Sequence, residues 1–348
     1  MALTVELEKK LGDFRLEVSF TAGEGETLAL LGASGSGKSV TLRCIAGVER
    51  PDRGRVVLDG VTLFDSAAHI NLPPQKRRVG YLFQNYALFP HMTAEENIAV
   101  CLRRLPKALR QARVMELLNL LGLSGTEHLR PGQLSGGQQQ RAALARILAS
   151  DPRAVLLDEP FAALDLSLRW TLEQSLRTVL AGFGGPVVWV SHDLGEVCRN
   201  CQRVCLLESG RSGSVCRMTD LLERPETVGA ARLAGFRNLL PVQPGPAPET
   251  VFLPDWGLVL HTVMPWQEDT TTLGIRRVEL AEGHDENAFF CRALEAVQDL
   301  NGMLVPLLPE TGNPPPIWME LQKEVWQALP EKRRLYVRVR PEDLFLLR

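Results

Sequence analysis

Two segments near the start of the chain alternate apolar and polar residues. LTVELE (residues 3–8) and FRLEVSF (14–20) both follow the two-residue period of half-buried strands. GEGE at 23–26 is typical of a turn. The pattern therefore predicts that the chain opens with an antiparallel β-hairpin.

Four later segments are dominated by continuous apolar residues, which is typical of central strands covered on both faces. They are TLALLG (27–32), AVLLD (154–158), PVVWVS (186–191) and VCLLESG (204–210). The first runs through glycines into the helical stretch SVTLRCIAGV, and each of the others follows a helical stretch. This alternation predicts a mostly parallel α/β sheet.

Between residues 92 and 150 the pattern is helical almost throughout. LPKALRQARVMELLNLLGL is its clearest amphipathic piece. We therefore predict a helical subdomain inserted in the sheet domain at about residues 92–150.

The chain changes character near Leu240, where PVQPGPAP places four prolines within eight residues. Such a segment is stiff and extended, and we interpret residues 236–250 as a linker. At roughly 150 residues per domain, 348 residues predict two domains. The first would span 1–235, and the second, 251–348, has short alternating segments broken by Pro, Gly and Asn that indicate a small β-barrel or sandwich.

Composition and charge exclude several classes of protein. Hydrophobic residues at 45% and charged residues at 23% are ordinary for globular chains and exclude disordered, collagen-like and coiled-coil proteins. Lys plus Arg number 39 and Asp plus Glu number 41, so the chain has no overall positive charge that would attract nucleic acid. Any phosphate binding must be local.

Nothing in the sequence predicts a membrane-spanning or targeting segment. No run of 18 apolar residues occurs, and the opening MALTVELEKK is charged where a signal peptide needs an apolar stretch. We therefore expect the protein to be made and kept in the cytosol.

Seven cysteines, an odd number spread through the chain, suit reduced thiols better than a disulfide framework. Cys198, Cys201 and Cys205 lie close together in sequence, and a CxxC can ligate zinc. No second CxxC or paired histidine nearby completes four ligands. Packing as small apolar side chains is the favoured interpretation, with metal binding as the alternative.

The residues that follow the first apolar strand fit the pattern GxxxxGK[ST]. They are Gly32, Ala33, Ser34, Gly35, Ser36, Gly37, Lys38 and Ser39. A strand before and a helix after are the context of a phosphate-binding P-loop. In such a loop, glycines let backbone N–H groups surround an oxyanion, Lys38 would reach the β and γ phosphates, and the Ser39 hydroxyl would contact Mg²⁺.

Two adjacent carboxylates, Asp158 and Glu159, end the apolar strand AVLLD. Adjacent residues at a strand end point in different directions. Asp158 is therefore predicted to hold the Mg²⁺ shell, and Glu159 to polarise a water for attack on the γ phosphate.

A third motif makes the P-loop prediction specific. It comprises Leu134, Ser135, Gly136, Gly137 and Gln138, followed by QQRAALARIL. With this pentapeptide the sequence resembles the ABC transporter ATPases. The resemblance covers residues 1 to about 235 and implies an α/β P-loop ABC ATPase fold with an N-terminal antiparallel β part and an inserted helical subdomain, here followed by a small C-terminal β-barrel-like domain.

Other marks of this family occur in order along the chain. Gln84 resembles the Q-loop glutamine, Ala163, Leu164 and Asp165 the D-loop, and His192 in VSHDLGEV the switch histidine. Ala162 departs from the serine that many relatives carry before the D-loop. Phe14 resembles the aromatic residue that stacks on adenine, with Leu11 or Phe20 as alternatives and plain core packing as another.

The resemblance also implies roles and partners. Ser135, Gly136, Gly137 and Gln138 begin a helix, which gives a second anion-binding N-terminus. In the family this signature closes over the nucleotide of the other subunit, so a homodimer with two ATP molecules is implied. Gln84 would sense Mg²⁺ and the attacking water, Asp165 would contact nucleotide, and His192 would donate to the γ phosphate.

With no membrane span of its own, such a subunit needs an integral-membrane permease, which places it at the cytoplasmic face of the inner membrane. NYALFPHMTAEENI resembles the surface that receives the permease. INLPPQKRRVGYLFQNYALFPHMT and YVRVRPEDLFLL look most like the molybdate importer ATPases, which act with a substrate-binding protein. Sulfate, thiosulfate or ferric iron import is an alternative, and a regulatory ATP-binding protein without transport is another.

The C-terminal region from about Asn287 resembles an oxyanion-binding regulatory module. WMELQKEVWQAL lacks the small hydroxyl residues expected there, so a purely dimerising role is the alternative. Lys76, Arg77 and Arg78 could form an anion site, but we expect a solvated strand edge.

Overall fold

The computed structural model of the chain describes all residues except 163–165, 283–284, 301, 311, 313 and 330–332. Contacts between Cα atoms divide it into two compact units, Met1–Met218 and Thr219–Arg348. The division falls earlier in the chain than the predicted domain end at residue 235. No helix of the described residues is long and apolar enough to cross a membrane.

Strands and helices alternate along the first unit. Its strands are β1 (Leu3–Leu11), β2 (Phe14–Ala22), β3 (Thr27–Leu31), β4 (Arg53–Leu58), β5 (Val61–Asp65), β6 (Ile70–Asn71), β7 (Val79–Leu82), β8 (Ala154–Asp158), β9 (Val187–Val190), β10 (Arg203–Glu208) and β11 (Arg211–Arg217). Its α-helices are α1 (Lys38–Ala46), α2 (Pro74–Arg77), α3 (Ala94–Ala99), α4 (Lys107–Leu120), α5 (Gly136–Ala149), α6 (Leu166–Ala181) and α7 (Leu194–Asn200), with 3₁₀ turns at Val100–Leu102 and Pro131–Gln133.

One sheet runs through the first unit in the order β6-β5-β4-β1-β2-β11-β10-β3-β9-β8-β7. The predicted hairpin is confirmed, because β1 and β2 pair antiparallel from Leu3 opposite Ala22 to Leu11 opposite Phe14. The predicted central strands are confirmed as well, since β10, β3, β9, β8 and β7 are parallel neighbours. Parallel strands place their carboxyl ends at one edge, which is where α/β proteins bind ligands.

Continuous apolar sequence and complete burial coincide in the central strands. Every residue of β3 and β8 is buried, as the absence of alternation predicts. Strand β2 instead buries alternate residues, among them Leu16, Val18 and Phe20. In the range 92–150, where a helical subdomain is predicted, α3, α4 and α5 are the α-helices.

The second unit consists mainly of strands. They are β12 (Asn238–Pro241), β13 (Gln243–Pro244), β14 (Thr250–Leu253), β15 (Leu258–His261), β16 (Thr272–Ile275), β17 (Glu279–Leu280), β18 (Ala288–Ala293), β19 (Val297–Asp299), β20 (Gly302–Pro309), β21 (Ile317–Leu321), β22 (Arg334–Arg338) and β23 (Leu344–Leu347). Its helices are α8 (Met218–Glu223), α9 (Val228–Leu233) and α10 (Lys323–Ala328), with a 3₁₀ turn at Pro341–Asp343.

Within the described residues, the strands of the second unit form three sheets. Their orders are β12-β16-β23, β13-β14-β15, and β17-β22-β18-β20-β19 with β21 paired to β20. The Pro-rich segment 236–250 contains two short strands, which pair with other strands, since β12 lies against β16 and β13 against β14. Residues 246–249 form a turn. WMELQKEVWQAL divides into the end of β21 and helix α10.

Candidate functional site

The loop between β3 and α1 is shaped by glycines that no larger residue could replace. A Cβ on Gly32 would lie 2.2 Å from the carbonyl oxygen of Leu207. Gly37 has a φ of 104°, and a Cβ there would lie 2.5 Å from Leu16 Cδ1. Steric exclusion therefore explains both glycines without reference to a ligand, and the same absence of side chains exposes the backbone N–H groups.

Ser36 supplies an independent sign that this loop binds an anion. It is 5% exposed, and within the described residues its Oγ has no hydrogen-bond partner. A buried hydroxyl without a partner is costly, and a phosphate oxygen would satisfy it. Ser34 and Gly35, the latter with φ 79°, are exposed beside it.

Lys38 begins helix α1 and turns back toward the loop. Its Nζ donates to the carbonyl oxygens of Gly32 at 2.7 Å and Ala33 at 2.9 Å. Burial lowers the pKa of Lys38, while the nearby carboxylates Glu159 and Asp158 oppose that shift. The ammonium is thus held at the loop by weak neutral acceptors, which a phosphate could replace.

The two oxygens of Asp158 are held by two hydroxyl groups. Ser39 Oγ donates to Asp158 Oδ1 at 2.8 Å, across 119 residues of sequence. Tyr81 Oη donates to Asp158 Oδ2, also at 2.8 Å, from the neighbouring strand β7. A carboxylate and a hydroxyl that converge in this way offer the hard oxygen ligands that Mg²⁺ prefers, so Ser39 and Asp158 could hold the ion.

Glu159 and His192 meet at the same edge of the sheet. His192 Nδ1 lies 3.4 Å from Glu159 Oε1. Glu159 has a φ of 46°, which is unusual for a residue other than glycine, and its backbone N–H donates to Val190 O at 2.9 Å. Strained backbone of this kind costs on the order of 1–3 kcal/mol and clusters at functional sites.

Gln84 lies just past the end of β7 and is exposed. Strand β7 is parallel to β8, with Leu82 opposite Leu157. Gln84 and Asp158 therefore follow the carboxyl ends of adjacent strands.

Phe14 lies beside the P-loop. A Cβ on Gly37 would be 3.5 Å from its ring. Of the two alternatives, Phe20 is buried in the core of the first unit and Leu11 is exposed. Of these three residues, Phe14 is the one with a partly exposed aromatic ring beside the P-loop.

The signature segment begins a long helix, as its sequence predicts. Ser135 caps α5: its Oγ accepts from the Gln138 backbone N–H at 3.3 Å, and Gln138 Oε1 accepts from the Ser135 N–H at 2.9 Å. Gly137 is buried, and a Cβ there would lie 2.8 Å from Leu172 Cδ1. Ser135 and Gly136 are exposed at the positive end of α5.

The D-loop and the cysteines Cys198, Cys201 and Cys205 complete the residues that the sequence singles out. Ala163, Leu164 and Asp165 lie outside the described residues, while Ala162 just before them is exposed. Cys201 and Cys205 are buried and Cys198 is exposed. Burial raises the pKa of Cys205 to about 12, so this thiol stays protonated at neutral pH.

The prediction of a solvated strand edge at residues 76–78 is wrong for Arg77. This side chain is 2% exposed, and its Nη1 donates to the carbonyl oxygens of Cys44 and Ile45, both at 2.8 Å. Its Nε donates to Leu72 O and its Nη2 to Asn71 Oδ1, each at 2.8 Å. The buried guanidinium thus supplies donors to the carbonyls in the last turn of α1, where helix carbonyls lack partners within the helix.

Sequence reasoning also missed Tyr81. The residue lies in a run of apolar residues, where a tyrosine is ordinary, and its partner Asp158 is 77 residues away. The only local signal was a tyrosine hydroxyl within the mainly apolar run VGYLF (79–83), since a tyrosine hydroxyl needs a partner once it is buried.

This chain belongs to the ABC transporter family of ATP-binding proteins. The profile of the ABC transporter family matches residues 16–162, and individual relatives match well beyond that range. A molybdate/tungstate import ATP-binding protein of Archaeoglobus fulgidus is 41% identical over 240 residues, which are 69% of this chain and 97% of the relative. The predicted family is thereby confirmed.

Relatives with different cargoes in their names match about equally well. A molybdenum import ATP-binding protein of Rhodospirillum rubrum is 39% identical over 224 residues, or 64% of this chain and 60% of the relative. A spermidine/putrescine import ATP-binding protein of Acidothermus cellulolyticus is 44% identical over 218 residues, 62% of this chain and 55% of the relative. The matched region thus spans less than two thirds of these relatives' length.

Among solved structures, the ATP-binding cassette MJ0796, described as a dimer in a post-hydrolysis state bound to ADP and Pi, is similar. It is 31% identical with a TM-score of 0.53, and the match covers 63% of this chain and 99% of that one. The predicted ABC ATPase fold is confirmed by this similarity.

Proposed function

We propose that this chain is the ATP-hydrolysing subunit of a bacterial ABC importer, with an oxyanion as cargo and molybdate as the first choice. The observation that carries the proposal is the convergence of Ser39 on Asp158 and of His192 on Glu159 at one edge of the parallel sheet. The family and the importer relatives support it.

The P-loop binds the phosphates of ATP. Its N–H groups and the positive end of α1 attract the oxyanions, and the buried Ser36 hydroxyl gains its partner. Lys38 exchanges its carbonyl acceptors for the β and γ phosphates. Phe14 stacks on the adenine.

Ser39, Asp158 and Gln84 would hold Mg²⁺, which would neutralise phosphate charge when bound. The hydrogen bond from Tyr81 fixes the Asp158 carboxylate so that its other oxygen faces Ser39.

Glu159 takes the proton of the attacking water. His192, whose ring is adjacent, donates to the γ phosphate. Gln84 orients the water from the neighbouring strand end.

The signature acts on the nucleotide of a second copy. Ser135, Gly136, Gly137 and Gln138 present the N-terminus of α5, an anion site of the same kind as the P-loop. Two chains in head-to-tail arrangement therefore bury two ATP molecules, with the D-loop residue Asp165 at the same interface. The assembly works at the cytoplasmic membrane face with integral-membrane permeases and, through them, a substrate-binding protein.

Transport is tested with a candidate permease and substrate-binding protein, to be sought among the genes that neighbour the gene for this chain. Proteoliposomes that contain all three should take up radiolabelled molybdate only with internal ATP, and the Glu159→Gln variant should abolish uptake. ATP hydrolysis without uptake of any cargo would instead favour a regulatory ATP-binding protein.

The cargo is tested on the binding protein, because the transported ligand does not contact this subunit. Calorimetry with molybdate, tungstate, sulfate, thiosulfate, ferric iron and spermidine separates the alternatives. Tight binding of sulfate or spermidine and none of molybdate would overturn the molybdate assignment and leave the ATPase proposal intact.

The C-terminal domain regulates or stabilises the dimer. If it senses oxyanion, molybdate should slow ATP hydrolysis by the intact transporter and should release heat on calorimetry with the full chain. No heat with molybdate, tungstate or sulfate at millimolar levels would leave dimerisation as its role.

A further inference from the structure

Helices α6 and α7 are joined by two sets of oppositely charged side chains. In one set, Arg199 of α7 and Glu173 of α6 form a bidentate pair, with Nε–Oε1 at 2.7 Å and Nη2–Oε2 at 2.9 Å. The other set is centred on Arg169 of α6. Both sets bridge the same two helices, but among the described residues it is Arg169 that forms an ion pair with Asp193, the residue next to His192, whereas Arg199 acts on Asp193 only through its charge.

Arg169 contacts two carboxylates. Its Nη2 lies 2.6 Å from Glu196 Oε2 and 2.9 Å from Asp193 Oδ2. Asp193 also caps α7, since its Oδ1 accepts from the Glu196 backbone N–H at 2.9 Å. The backbone on the carboxyl side of His192 is therefore fixed by one arginine and one cap.

The far end of this cluster lies in the core. Glu196 is 2% exposed, and its Oε1 accepts from Trp189 Nε1 at 2.6 Å. Trp189 is a fully buried residue of β9, and its ring is 5.8 Å from that of Phe161. Burial raises the pKa of Glu196, while Trp189 and Arg169 oppose the shift. Arg169, Asp193 and Glu196 are thus linked to a buried strand, β9, through Trp189.

The backbone beside His192 is also held by Ser191, whose Oγ accepts from the Asp193 N–H at 3.1 Å. His192 itself is held more weakly. Its side chain is 66% exposed, and its 3.4 Å approach to Glu159 is longer than an ordinary hydrogen bond. The position of its imidazole therefore depends on the backbone on either side. Strand β9 fixes one side, and Asp193 fixes the other.

We propose that Arg169 is a positioning residue for ATP hydrolysis, acting through Asp193 and Glu196 to fix His192 against the γ phosphate. This inference rests on the role proposed above for His192. A misplacement of about 1 Å in a catalytic group can lower the rate by on the order of 10²-fold. Nucleotide binding, which uses the P-loop, is not affected.

The matched pair of variants is Arg169→Met and Arg199→Met. Arg169→Met breaks the ion pairs with Glu196 and Asp193, and Arg199→Met breaks the pair with Glu173, so looser packing of α6 against α7 is common to both. We expect Arg169→Met to lower kcat by about 10- to 100-fold with KM for ATP nearly unchanged, the pattern of an interaction made in the transition state. Arg199→Met should keep kcat within about threefold. Equal kcat values in the two variants would overturn the proposal.

A milder variant covers the case in which Arg169→Met does not fold, because it leaves Glu196 buried without its cation. Asp193→Asn keeps a residue suited to the N-cap and removes only the charge that faces Arg169. It should lower kcat by a smaller factor, again at constant KM. Where both variants fold, the double variant should lower kcat by less than the product of the two single reductions, because both act on His192 through the same contact. A reduction equal to that product would mean that the two residues act independently and would contradict the proposal.

The last experiment asks whether Arg169 acts through His192. In a His192→Ala background, Arg169→Met should lower kcat no further, and an undiminished additional loss would overturn the proposal. Normal hydrolysis by His192→Ala alone would overturn the role of His192 and this inference together. This inference alone would be overturned if His192→Ala lowers kcat but Arg169→Met and Arg199→Met have equal kcat values.

Discussion

At the scale of single residues, the candidate site depends on how one carboxylate is held. Asp158 accepts from Ser39 on one oxygen and from Tyr81 on the other. Burial and the neighbouring Asp158 raise the pKa of Tyr81, so its hydroxyl stays a donor at all ordinary pH values. Hydrogen bonds to a metal ligand orient that ligand, and their loss commonly lowers the affinity for the metal by about tenfold or more.

Tyr81→Phe should weaken the apparent affinity for Mg²⁺ in ATP hydrolysis by about tenfold, because Asp158 loses the donor that orients it. The measurement is a Mg²⁺ titration at saturating ATP. Tyr86→Phe is the matched control, since the Tyr86 hydroxyl is buried and, among the described residues, has no hydrogen-bond partner. An unchanged Mg²⁺ requirement in Tyr81→Phe would show that this hydrogen bond does not orient Asp158.

Glu159→Gln should preserve ATP binding and lower turnover by on the order of 10² to 10⁴, the usual contribution of a general base. Phosphate release and binding of a fluorescent ATP analogue measure the two properties. Lys38→Ala is the contrasting variant, because loss of the loop cation should weaken nucleotide binding itself. Parental turnover in Glu159→Gln would exclude it as the base.

At the scale of elements, helix α1 is stabilised at its C-terminal end. Its N-terminus carries Lys38 and Ser39, and its last carbonyls accept from Arg77. Gly47 ends the helix with φ 78°, and a Cβ there would lie 2.5 Å from Arg77 Nε. The C-terminal cap thus packs around a buried guanidinium that also joins α1 to the segment before β7.

Arg77→Met should lower the free energy of unfolding by about 3 kcal/mol, because several buried acceptors lose a charged donor. Urea denaturation followed by circular dichroism measures the change. Arg78→Met is the control: Arg78 pairs with Asp151, which is 90% exposed, so its loss should cost less than about 1 kcal/mol. Equal stability of the two variants would contradict a capping role for Arg77.

At the scale of the whole molecule, two compact units follow one another in the chain. The described P-loop, Asp158, Glu159, signature and His192 all lie in Met1–Met218. Within the second unit, Phe236 packs with Ala231 and Leu347, and Arg276 donates to the carbonyl oxygens of Leu222 and Glu223. Helices α8 and α9 therefore belong with the C-terminal strands.

A chain that ends at Met218 should fold and hydrolyse ATP, because it keeps its own core. Thermal unfolding and phosphate release are the measurements. A chain that ends near residue 240 is the comparison. It should be the less soluble of the two, since Phe236 and Ala231 would lose the contact with Leu347. An insoluble Met1–Met218 fragment beside a soluble longer one would contradict this division.

Glu159→Gln with ATP and Mg²⁺ should elute from size exclusion as a dimer, since two bound ATP molecules stabilise the interface that the signature completes. Replacing ATP with ADP should return it to a monomer, because in the proposed head-to-tail arrangement the γ phosphate is the group that Ser135 and α5 of the second copy contact. A variant that remains monomeric at saturating ATP would contradict the head-to-tail arrangement.

The sequence by itself determined the local parts of this protein. Continuous apolar runs defined the central strands, alternation defined the β1–β2 hairpin, and Gly32 to Ser39 defined the P-loop. The strands and the hairpin depend on neighbours in the chain, through backbone sterics and side-chain period, and the P-loop can be recognised from its residue pattern.

Only the tertiary structure decided which distant residues serve the site. Tyr81 contacts Asp158 across 77 residues, Arg77 contacts Cys44 across 33, and Arg169 contacts Glu196 across 27. An arginine in a charged run looks solvated, and a tyrosine in an apolar run looks like core, until the chain folds and places an acceptor beside each. Their partners are set by the packing of elements, which local period does not encode.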